Sequence, residues 1–130
     1  MRAFVLLTLL LAASGSAFAH HQFSSEFDAT KRVTLTGKVV KMAWVNPHAW
    51  LYIEVTEPDG KVVPWALEFG IPRTLIRQGW RKEDLPPGAI VTIEGFLAKN
   101  GTKTANASKV ILDGGRVLFT GSSYGGDAAR

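Results

Sequence analysis

Apolar and polar residues alternate along most of the middle of this 130-residue chain, which is the period of half-buried strands. Val33, Leu35, Gly37 and Val39 form one set against Thr34, Thr36 and Lys38. After Val39 the phase inverts, and Val40, Met42 and Trp44 become the apolar set. An inversion inside one strand requires a bulge or a sharp bend, which Gly37 would ease. Asn46-Pro47 then breaks the pattern, since proline cannot donate to a ladder and asparagine suits a turn. The next strand is expected from His48 to Thr56, with Ala49, Leu51, Ile53 and Val55 inward and Trp50, Tyr52 and Glu54 on the other face. Asp59-Gly60 predicts a hairpin. A third strand follows it, with Val63, Trp65, Leu67 and Phe69 inward and Pro64 marking an edge.

Beyond Phe69 the period changes. Pro72 is placed to open a helix and Gly79 to end it, which predicts a helix over 72–78 burying Leu75 and Ile76. A polar Pro-Pro-Gly connection (82–88) leads to a fourth strand over 89–99. The chain turns at Asn100-Gly101 and returns as a fifth strand over 103–112, and Val117, Leu118 and Phe119 add a short one. Three strands, a short helix and two more strands is the plan of the OB-fold. The expected fold is therefore mainly β, a small five-stranded OB-like antiparallel barrel with one short helix between strands 3 and 4. An open α+β meander is the alternative. The barrel is expected over 33–120, with an N-terminal arm over 20–32 and a flexible Gly/Ser-rich tail over 121–130.

The beginning of the chain adds a location. Met1-Arg2 is followed by an apolar run from Phe4 to Ala13 and by Ser14-Gly15-Ser16-Ala17-Phe18-Ala19, which ends in a small-x-small cleavage pattern. That order is the layout of a cleaved signal peptide over 1–19. The run is too short for a membrane span of about 20 residues. A periplasmic or secreted protein is expected, beginning at His20. Residues 20–130 suffice for one small domain with one core. The chain has no cysteine, which rules out disulfides, thiolate metal sites and a lipid-bearing cysteine. A net charge of +4 with scattered Lys and Arg does not describe a nucleic-acid groove.

The start His20-His21-Gln22-Phe23, then Glu26-Phe27-Asp28, Gly37, Trp44-Val45-Asn46-Pro47-His48, Trp65 with Glu68, and Gly79-Trp80 resemble a bacterial exported family. It is catalogued as domain of unknown function 6152. The resemblance covers nearly the whole of residues 20–130, and Trp-x-Asn-Pro-His is its most specific element. It implies a secreted bacterial protein and assigns no activity. Family members often carry Ser or Gly where this chain has Gln22.

Two constellations carry chemistry. The first is aromatic: Trp44, Trp50 and Tyr52 lie near the turn Asn46-Pro47-His48, and OB-folds bind ligands on the face of strands 2 and 3, between the loops after strands 1 and 4. The second of those loops holds Lys99 and Lys103. Rings beside lysines can hold a small ligand such as a sugar, a peptide strand or a base, and export argues against nucleic acid. The opposing reading packs these rings under the arm against Phe23 and Phe27. The second constellation is nitrogenous. A free amine and imidazole at His20, with His21 beside it and His48 as a remote ligand, form a donor set suited to Cu(II). The opposing reading leaves His20 and His21 solvated and His48 bonded within its turn. Glu54 and Glu68 lie on outward phases and read as a solvated face. There is no Gly-rich phosphate loop, no Gly-x-Ser-x-Gly and no His-Glu-x-x-His. The leading expectation is an exported binding or accessory module without chemistry of its own, taking a small ligand, a peptide or a periplasmic protein. A copper-handling protein using His20, His21 and His48 is second, and a redox enzyme on such a copper site is third.

Overall fold

The computed structural model describes residues 23–121. Its strands are β1 (Phe27–Ala43), β2 (Trp50–Thr56), β3 (Val62–Glu68), β4 (Ile90–Ala98), β5 (Thr104–Ile111) and β6 (Val117–Phe119). A helix, α1 (Pro72–Arg77), and a 3-10 turn (Lys82–Asp84) lie between β3 and β4. The sheet order is β3-β2-β1-β4-β5-β6, and β3 also pairs with β5. That last pairing, parallel over Ala66–Thr104, Leu67–Ala105 and Glu68–Asn106, closes five strands into a ring. The other five pairings are antiparallel. An open meander has no such closure.

The long β1 makes the ring possible by serving two neighbours. Its first two thirds pair with β4 and its end pairs with β2. The register shifts between Val39 and Lys41, where the alternation inverts. Met42 and Trp44 take over the core-facing role, packed against the main cluster. Val40, expected with them, is instead the bulged residue and stays 44% exposed. Gly37 belongs to the same bend. A Cβ there would stand 2.7 Å from the Glu54 carbonyl oxygen, so the crossing strands come closer than any side chain allows.

The ring's interior holds Leu35, Val39, Leu51, Ile53, Leu67, Val91, Ile93 and Val110, all buried. Each such side chain contributes on the order of 1.5–3 kcal/mol by leaving water. Trp65, Phe69, Leu75 and Trp80 join this core, and Trp80 Nε1 donates to the Phe119 carbonyl at 2.8 Å. In α1 only Leu75 is buried, and Ile76, expected beside it, is 47% exposed. Six residues offer a single apolar position to the core.

Regular structure begins earlier than the alternation predicts. Residues 23–26 are helical and β1 starts at Phe27, inside the expected arm. The cause is a second, small cluster of Phe23, Phe27 and Phe96, with Ala29 and Ala98 against it. Phe23 meets Phe96 edge-on at 5.8 Å between ring centres, a favoured aromatic geometry. The Lys99 N–H donates to the Glu26 carbonyl at 2.9 Å, and Lys99 Nζ donates to the Ser24 carbonyl. These contacts fasten the segment to the end of β4. Among the described residues no helix is long and apolar enough to cross a membrane.

Candidate functional site

The β2–β3 hairpin sets the centre of the site. Its turn at Asp59-Gly60 starts the ladder at Thr56–Val62, and counting outward pairs Trp50 directly with Glu68. Paired residues project on the same face of a sheet, so ring and carboxylate are neighbours. The ladder continues past β2 through Ala49, whose N–H donates to the Gly70 carbonyl at 3.0 Å. The Phe69 N–H returns a bond to the Ala49 carbonyl at 2.8 Å. These bonds hold the loop 45–48, with its cis Asn46–Pro47 peptide, beside Glu68. Across the ring closure, Glu68 pairs in register with Asn106.

Glu68 is the surprise of the site. Its phase opposes the core, and a solvated carboxylate is the expectation, yet it is only 8% exposed. His48 Nδ1 donates to its Oε1 at 3.2 Å, and Asn106 Nδ2 donates to the same oxygen at 3.3 Å. Burial pushes the Glu68 carboxyl above its ordinary range; the nearby Glu26 charge adds to this, while His48 and Asn106 oppose it. Asn106 Oδ1 is buried and has no hydrogen-bond partner among the described residues.

Two adjoining cavities open around this group. One, about 310 Å³, is lined by Phe23, Glu26, Phe27, the loop 45–48, Trp50 and Glu68. The other, about 400 Å³, runs from Ser25, Glu26, Phe27 and Trp50 to Lys99, Asn100, Thr102 and Thr104. Trp50, Phe27 and Glu26 belong to both, so the half-buried indole stands between them. A groove results, bounded by the loop after β1 and the loop after β4.

The expected site residues divide. Asn46, Pro47, His48, Trp50 and Lys99 line the groove. Trp44 packs on the main core. Tyr52 lies two pairs further along β2, beneath Lys41, whose Nζ is 4.9 Å from the ring centre. Lys103 turns to the Trp65 ring at 5.3 Å and to Glu57 at 3.9 Å. His20 and His21 lie outside the described residues. Glu26, Asn106 and the buried state of Glu68 escape the sequence reading, which assigns Glu68 to solvent; Phe23 and Phe27 enter it as rings of the arm beside Trp50. The hairpin turn was the available signal, because counting from it places Glu68 opposite Trp50.

A model described as a family of unknown function (DUF6152) matches residues 8–107. The chain belongs to this family. The groove lies inside the matched segment, from Phe23 to Asn106, and so is built from family-covered residues of this DUF6152 member. No curated protein matches the chain.

Proposed function

We propose that this protein is an exported binding module without chemistry of its own, an OB-like barrel that takes a ligand in the groove around Trp50. One observation carries the reading. A half-buried indole stands between two adjoining cavities and directly opposite a buried, hydrogen-bonded carboxylate. An aromatic face beside fixed polar groups is the usual make-up of a small-molecule site. The ring order 1-2-3-5-4-1, with a short helix after β3, supports the OB-like description. In that fold the same face and the same two loops hold ligands. The order of charged, apolar and small residues over 1–19 supports export and a leader cut after Ala19. The domain then comprises the Phe23–Phe27 segment together with the ring.

Native mass spectrometry of protein purified from its own host tests the binding reading. Wild type is expected to carry a non-covalent mass that Trp50→Ala loses while its circular dichroism stays folded. A mass retained by the folded variant would move the site elsewhere.

A second reading, copper handling, is favoured by His48. With Nδ1 donating to Glu68, a neutral ring keeps its lone pair on Nε2, the arrangement by which carboxylates orient metal-ligating histidines. Phe23 lines the cavity that His48 lines, and His20 and His21 precede it by three and two residues. Cu(II) titration of protein beginning at His20 is expected to lose tight binding on His48→Ala or with one extra residue before His20. Unchanged affinity in both rejects the copper reading.

A further inference from the structure

We infer that the cavity between Trp50 and His48 is a site for a small organic ammonium group. The inference rests on the binding reading above and names the class of ligand. Three aromatic residues, Phe23, Phe27 and Trp50, stand in its wall with two carboxylates, Glu26 and Glu68. No Lys or Arg is among the described residues that line it. Aromatic faces carry partial negative charge, and rings gathered around a cavity are the usual receptor for alkylated ammonium ions.

The lysines nearby are committed elsewhere. Lys99 lines the adjoining cavity and donates to the Ser24 carbonyl, and Lys103 lies over Trp65 and pairs with Glu57. Among the described residues, none of the ion pairs includes Glu26. Glu68 is buried, and Glu26 lines the same cavity. An entering cation therefore faces two carboxylates at once. A cavity of about 310 Å³ has room for a substituted ammonium head of a few heavy atoms. An anion would meet two carboxylates, and among the described residues that line the cavity His48 is the one basic side chain.

The test is a titration of the purified full chain, as its host processes it, with choline and with 3,3-dimethyl-1-butanol. The second compound replaces the cationic nitrogen by carbon at nearly the same shape. Proton–nitrogen NMR spectra report on the Trp50 indole and the amides of Val45, Asn46 and His48. Choline is expected to shift these resonances and to bind about tenfold more tightly than the alcohol. Trp50→Ala should abolish the shifts. Glu26→Gln, a change at an exposed residue that leaves the core intact, should weaken choline and leave the alcohol unaffected. Equal affinity for the two compounds overturns the ammonium inference while the groove still binds. Shifts from neither compound also overturn it, and the fate of the Trp50-dependent mass then decides the binding reading separately.

Discussion

Gly37→Ala separates local propensity from tertiary geometry by the sign of its effect. Gly37 sits in a strand with no left-handed backbone requirement. By propensity alone, alanine should stabilise the protein by about 0.5–1 kcal/mol through a less flexible unfolded chain. The structure predicts the reverse. The new Cβ would lie 2.7 Å from the Glu54 carbonyl oxygen, 3.1 Å from Ile53 Cδ1 and 3.2 Å from the Glu54 carbonyl carbon, where ordinary contact starts at 3.4 Å. Two of these atoms are backbone, so no rotamer change removes the clash, and β2 must retreat from β1 where Lys38 pairs with Glu54. Such overpacking costs about 1–3 kcal/mol. After the propensity gain is offset, a net loss of about 1–2 kcal/mol remains. For a domain of this size that is a fall in Tm on the order of 5–15 °C. Thermal unfolding followed by circular dichroism measures it. An unchanged or higher Tm would refute the close crossing of β1 and β2.

Two further outcomes follow from the site. Burial raises the Glu68 carboxyl above its ordinary range, and a carboxyl that holds its proton more tightly folded than unfolded costs the native state stability as pH climbs from the unfolded pKa to the folded one. The unfolding free energy of wild type relative to Glu68→Gln should therefore decline across that interval and level off above it, as urea titrations at several pH values will report; a flat or rising difference contradicts the buried carboxylate. Phe96→Ala removes the ring that meets Phe23 and should cost about 3–5 kcal/mol, with amide exchange rising first at residues 23–27. Equal protection of those amides in wild type and variant would mean that the aromatic cluster does not hold them.

The legible parts of this molecule are those encoded by local period. Alternation in Leu51–Ile53 and Val63–Leu67 marks strands because one face of each is buried in the ring's interior and the other is not. The inversion after Val39 marks a bulge for the same reason. Phe27 to Arg32 carries no such alternation, because that stretch is held by Phe96 and Ala98 some 70 positions away. Trp50 is legible as an off-phase ring near a turn. Glu68 is not, since its burial depends on a helical segment, a loop and a parallel strand pairing that converge from three parts of the chain. Asn106 reaches Glu68 only through that closure, at a separation of 38 residues.

The claim that the groove around Trp50 receives a ligand is tested most directly by mapping where host small molecules bind. Proton–nitrogen NMR spectra of the labelled chain, titrated with a low-molecular-weight extract of its host, should move the Trp50 indole together with the amides of Val45, Asn46, His48 and 98–104. Resonances that stay fixed there, or that move instead around the separate hollow lined by Thr36, Glu54, Val62 and Ile90, would contradict it.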